Sequence, residues 1–214
     1  MKKINLKVLI ITCIVTLLPI ILGIIFYSEL PTEVAIHFDV NNNPNGYFSK
    51  PAFVFGMPII MVLFQIFCCI VSDLSDKNPE ANKKMVTVSK WIIPILTIIL
   101  YIVTIMYALG SSIDIRKIVM IILGIIFIVM GNYLPKTVGN NYIRIPKTKI
   151  KDENLNKKIL RISGYMLIID GILCLISILF NSIVSVAIVC LIILEGIGLS
   201  VYSFVKDKKI LYNK

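Results

Sequence analysis

Six apolar runs, each near the 20 or so residues that an α-helix needs to cross roughly 30 Å of hydrocarbon, fill most of this 214-residue chain. They cover Val8 to Ser28, Pro51 to Ser72, Trp91 to Leu109, Ile118 to Leu134, Ile162 to Phe180 and Ile183 to Val205. Composition agrees: 57% of residues are apolar and only 16% charged, against about 45–50% and about 25% in soluble domains. The mean hydropathy is +0.90. The expected fold is an all-α integral membrane protein with six transmembrane helices. The first run follows Lys2, Lys3 and Lys7 as a secretory signal would. Its long apolar core and the lack of a small-x-small cleavage site make it a retained span instead.

Basic residues in the flanks set the expected orientation, because Lys and Arg are retained on the cytoplasmic side. With the N-terminus inside, nineteen Lys and Arg fall on cytoplasmic segments and three, Lys50, Arg116 and Lys117, fall outside. Both termini are therefore expected in the cytoplasm. The formal charge of +10 is then a matter of topology, and no basic soluble domain is left to bind nucleic acid directly. An N-terminal membrane region, residues 1–110, holds spans one to three and an outer loop at 29–50. A second, residues 111–214, holds spans four to six and a basic cytoplasmic loop at 135–161.

Signatures of soluble catalysis are missing. The chain has no G-x-x-x-x-G-K-[ST], G-x-G-x-x-G or H-E-x-x-H, and its five cysteines form no C-x-x-C pair. No enzyme activity, cofactor or metal is expected. Three features nevertheless rise above the apolar background.

The first is the loop "ELPTEVAIHFDVNNNPNGYFSK". Val34, Ile36 and Phe38 alternate with Ala35, His37 and Asp39, which is the period of a strand, and "NNNPNG" supplies a turn through Pro44 and Gly46. A short ordered hairpin is expected, with Tyr47, Phe48 and Lys50 as an interfacial anchor. It serves as a connection, a partner surface, or a cation site built from Glu33, His37 and Asp39.

The second is a pair of acids at membrane depth, Asp170 in "MLIIDGILCL" and Glu195 in "LIILEGIGLS". Both lie about 12–15 Å from the same ends of adjacent spans, so they can meet at one level. Acids in lipid face a bundle interior or a wet cavity, and Gly171, Gly196 and Gly198 would admit a neighbouring helix. The pair is either a proton or cation site or a hydrogen-bonded tie between helices.

The third is "GNYLPKTVGNNYIRIPKTKIK", continued by "DENLNKKILRISGY". Asn132, Pro135 and Gly139 should end the fourth span. Leu155, Ile159 and Ile162 then share one face while Lys157, Lys158 and Arg161 take others, the pattern of a basic amphipathic helix lying on anionic lipid before the fifth span.

These last residues also carry a resemblance. Gly131, Asn132, Leu134, Pro135 and Lys136, followed by Ile143, Arg144, Pro146 and Thr148, resemble the G-N-x-[LM]-P-K and I-R-T-P-W-T segments of the SdpI-type immunity membrane proteins of Gram-positive bacteria. Leu30, Pro31, Val34, His37, Phe38, Gly46, Ser49 and Lys50 resemble the N-terminal domain of unknown function often fused to that family. The chain departs from the pattern at Lys147, where the family has tryptophan, at Ile145 and Tyr142, and near Leu155 and Asn156, where a second tryptophan is expected. It reads as a divergent member. The resemblance implies six spans in the cell membrane and resistance to a secreted antimicrobial peptide or protein toxin, with relay to a cytoplasmic ArsR-type repressor. His37, Phe38, Tyr47 and Phe48 would then face the toxin, and Arg144 would order the inner loop. The alternatives are a secondary transporter or ion permease using Asp170 and Glu195, and a structural or regulatory membrane protein.

Overall fold

The computed structural model describes residues 4–75, 82–137, 143–144 and 148–212. Among these residues six helices are long and apolar enough to cross a membrane: Leu6–Ile25, Ala52–Leu74, Lys83–Ala108, Ile115–Lys136, Glu153–Ser177 and Ser182–Tyr212. A helix bonds every interior N–H and C=O within itself, so it can sit in lipid where no water is available. Large apolar side chains accordingly remain exposed along these helices, among them Leu63, Phe67, Ile183 and Leu194. The chain divides into two compact units, Met1–Asp76 with Val86–Ile118, and Lys77–Met85 with Val119–Lys214.

In the first unit, helix α1 (Leu6–Leu17) starts at Asn5, whose side chain accepts from the Val8 N–H. Pro19 lacks an N–H and opens a new short helix, α2 (Pro19–Ile25), so the first span is two helices in series. Strands β1 (Glu33–Phe38) and β2 (Pro44–Ser49) follow as an antiparallel hairpin. A π-helical turn, Ala52–Gly56, leads into α3 (Met57–Ser75). Such a turn leaves carbonyls off the regular ladder, and Tyr101 Oη donates to Val54 O at 3.2 Å. Tyr101 belongs to α4 (Lys83–Ala108) and stacks on Phe53 with centroids 4.6 Å apart. Leu30, Val34, Phe53, Val54, Tyr101 and Ile105 form the buried core.

In the second unit lie α5 (Ile115–Tyr133, of which the unit takes the part from Val119), a 3-10 turn at Leu134–Lys136, strands β3 (Ile143–Arg144) and β4 (Thr148–Lys149), α6 (Glu153–Ser177) and α7 (Ser182–Tyr212). The surface helix expected before the fifth span is instead the start of α6, which runs unbroken into that span. Its apolar stripe does not meet lipid headgroups. Leu155 and Ile159 are buried with Ile150, and Leu199 and Ile210 pack against them. An i, i+4 stripe marks a face that must be covered, and here protein covers it.

Candidate functional site

The β1–β2 hairpin is pinned at several points within its unit. Val34 is fully buried and Phe48 packs on the same core, while Phe38 meets Tyr107 edge-on at 4.7 Å. His37 pairs with Gly46, with register shifts on either side. A Cβ on Gly46 would lie 2.9 Å from the His37 Cβ, so glycine is what permits this close pairing. Lys50 Nζ donates to Tyr27 O at 2.9 Å and sits 5.1 Å over the Tyr27 ring. Asn42, at φ 66, fills the left-handed position of the turn. Its Nδ2 donates to Ile113 O at 2.9 Å and its Oδ1 accepts from Ile115 N at 2.8 Å.

Of the four aromatic and polar residues expected to form one surface, His37 and Tyr47 are exposed, whereas Phe38 and Phe48 turn inward and hold the hairpin. Asn45 joins the exposed pair, its Oδ1 lying 2.5 Å from His37 Nδ1. Glu33, His37 and Asp39 do not converge. The Asp39 carboxylate accepts from Asn43 N and Nδ2 and from Asn41 N, and these donors hold it below the usual carboxylate range. Among the described residues no three His, Cys, Asp or Glu side chains gather to hold a metal.

Asp170 and Glu195 do meet. Their carboxyls lie near enough to interact electrostatically; Asp170 is 3% exposed and leaves Oδ1 buried without a hydrogen-bond partner. Of the three glycines expected to admit a neighbouring helix, Gly171 does so. A Cβ there would come within 2.6 Å of Gly124 O, so it receives α5, whereas Gly196 and Gly198 face open space.

The same helix crossing accounts for the first half of the "GNYLPK" motif. A Cβ on Gly131 would lie 2.6 Å from Gly164 O, and one on Gly164 would lie 2.3 Å from the Pro135 ring. Glycines seven residues apart on α5, Gly124 and Gly131, thus face glycines seven apart on α6, Gly171 and Gly164, in antiparallel order. Backbones approach directly, as small residues allow in membranes. Asn132 accepts from Lys136 Nζ at 3.0 Å, and Leu134 and Pro135 turn the chain out of the helix. For the second half, Ile143 and Arg144 pair with Lys149 and Thr148. Pro146 and Gly139 lie outside the described residues.

Two ties escaped the sequence reading. Lys90 was counted as a flanking charge, yet it is 4% exposed and its Nζ sits 2.5 Å from Asp73 Oδ1. Asp73 Oδ2 accepts from Asn5 N, and Gln65 Nε2 donates to Lys90 O at 2.9 Å. The available signal was an acid one residue beyond the second span and a lysine one residue before the third. Asp207 is the other. It is 2% exposed and accepts from Lys151 N and Asp152 N, although "VKDKK" looks like a solvated charge run.

Comparison with known proteins adds three findings. Residues 14–62, covering the β1–β2 hairpin and its flanking helices, match a family described as a domain of unknown function, DUF1648. The chain is 28% identical over 193 residues to the immunity protein SdpI of Bacillus subtilis (strain 168), covering 89% of this chain and 91% of that protein. It is also 46% identical over 44 residues to the uncharacterized membrane protein YbgB of the same strain, covering 21% of this chain and 48% of YbgB. No solved structure matches. The resemblance to SdpI-type multi-pass membrane proteins, read from two short motifs, therefore extends along nearly the whole chain.

Proposed function

We infer that this chain, similar to an SdpI-type immunity protein along most of its length, is itself a membrane immunity protein that protects its host from a secreted antimicrobial peptide or protein toxin. The carrying observation is the 89% coverage of the chain by the match to a protein named for immunity. The positive-inside distribution supports an orientation with both termini in the cytoplasm, in which the β1–β2 hairpin faces outward. The face it offers there is small and prepaid in entropy. His37, Asn45 and Tyr47 are exposed, as are Glu29 and Glu33, and the half-buried Phe38 and Phe48 hold the strands. An exposed aromatic on β2, with exposed acids at the start of β1 and just before it, suits a cationic, amphipathic peptide. Arg144 and its neighbours then lie on the cytoplasmic side, where an ArsR-type repressor would be drawn to the membrane. None of these roles needs a catalytic group. Asp170 and Glu195 serve as a tie between α6 and α7: a carboxyl that keeps its proton can donate to the other and join the two helices.

Deleting the gene from its host and challenging the deletion strain with medium conditioned by the parent tests the reading. Survival is expected to drop at least tenfold and to return with the plasmid-borne gene. Equal survival of deletion and parent would overturn it. For the relay, a fluorescent ArsR-type repressor of the host should move to the membrane in conditioned medium, and uniform cytoplasmic fluorescence rejects that part alone.

A further inference from the structure

Helix α7 is 31 residues long, about 46 Å at 1.5 Å per residue, which exceeds the roughly 30 Å of hydrocarbon. Its apolar stretch ends near Val205, so the last turns project beyond the membrane. Lys206, Lys208 and Lys209 are exposed on that projection, but Asp207 between them is buried. A carboxylate is withdrawn from water only where donors replace the water. Two of the donors are backbone: Asp207 Oδ1 accepts from Lys151 N at 3.0 Å and from Asp152 N at 3.1 Å.

Those two residues join β4 to α6. Asp152 caps α6 by accepting from Leu155 N at 2.8 Å, so Asp207 grips the segment where its direction is set. Ile150, the next residue toward β4, is 2% exposed and packs in the cluster that includes Ile210 of α7. Strand β3 lies against α7 as well. Two-residue strands have too few cross-strand bonds to hold themselves in place, and this pair is Ile143–Arg144 with Thr148–Lys149.

We propose that Asp207 is the positioning residue of the β3–β4 pair: from the end of α7 it fixes the backbone of residues 143–144 and 148–149 in one place, and protection depends on that placement. The proposal rests on the immunity reading for its functional half. Asp207→Ala removes the acceptor, whereas Asp207→Asn keeps an oxygen that both N–H groups can reach. In the purified full-length protein, hydrogen exchange at the Lys151 and Asp152 amides is expected to speed up at least tenfold in Asp207→Ala and to stay near wild type in Asp207→Asn. In the deletion strain, at matched membrane levels, Asp207→Ala should lose protection at least tenfold and Asp207→Asn should retain it. If Asp207→Ala does not accumulate, Asp207→Ser, whose hydroxyl is too short to span to the loop, replaces it with the same expectations. Unchanged exchange in the acceptor-less variant, or wild-type survival despite faster exchange, overturns the proposal. Should the wild-type gene itself fail to protect, the immunity reading falls, and the exchange contrast still decides whether Asp207 positions the segment.

Discussion

The two units hold their helices together by opposite chemistry. In the first, α1, α3 and α4 are joined through polar side chains: Lys90 to Asp73, Asp73 to Asn5, Gln65 to Lys90 O, with Thr12 Oγ1 3.9 Å from Cys69 Sγ. In the second, α5 and α6 cross on glycine, with Gly124 against Gly171 and Gly131 against Gly164. Lipid is as apolar as leucine, so burying leucine between helices gains little in a bilayer, and close packing or hydrogen bonds must supply the association. Polar ties tolerate some slack, because side chains can adjust. A glycine crossing does not, because the contact is between backbones.

That contrast can be broken most severely at Lys90. Lys90→Met leaves Asp73 buried without its cation, and such breakage costs about 3–5 kcal/mol. A large fall in the midpoint of detergent-solubilised thermal unfolding is expected, partly recovered by adding Asp73→Leu. No recovery would mean that the pair contributes through something other than its charges.

A smaller loss is expected at the crossing. Gly131→Val places a side chain where only a Cα fits, an overpacking penalty of about 1–3 kcal/mol. Unlike the ion pair, it should find no compensating partner mutation on α6 short of moving the helix, since the atom it meets is the Gly164 carbonyl. Rescue by trimming Ile168 alone would show that a side chain, not the backbone, sets the spacing.

Asn42→Ala removes both hydrogen bonds to the 113–115 segment, at about 1 kcal/mol each, and places alanine at a positive φ. Faster amide exchange is expected at Ile115 while the β1–β2 ladder keeps its protection, because Val34, Phe38 and Phe48 anchor that hairpin separately. Loss of protection throughout the hairpin would show that the clamp, not the core, holds it.

The smallest effect concerns pH. Asp39 is held ionised by Asn43 and Asn41, which lowers its folded value. The order it confers on the turn is therefore fully present above the ordinary aspartate value of about 3.9 and fades as pH falls through the depressed folded value. Exchange at the Asn41 and Asn43 amides should be slower than in Asp39→Ala at neutral pH, and the difference should narrow only in strong acid.

Much of the fold was legible because its main constraint is local. Twenty apolar residues in lipid must be helical whatever surrounds them, so six spans could be counted by eye. Strand alternation at Val34, Ile36 and Phe38 and the turn chemistry of "NNNPNG" likewise act over a few residues. The meeting of Asp170 and Glu195 was legible for a related reason: a short connection makes adjacent spans antiparallel, and rise per residue then sets their levels. Less of the site was readable. Phe38 and Phe48 looked like a binding surface, since an aromatic in a loop carries no mark of which way it faces. Leu155 and Ile159 announced a covered face but not what covers it.

The sequence by itself determined the spans, the hairpin and the levels of Asp170 and Glu195, all consequences of short-range geometry and the demand that lipid makes on a backbone. Only the tertiary structure decided that the "GNYLPK" motif is a helix-crossing device, that Lys90 is sealed against Asp73, and that Asp207 grips a loop more than fifty residues away. Those depend on which helix lies beside which. Periodicity carries no record of that choice, because a glycine or a charge has the same spacing whether its neighbour is lipid, water or another backbone.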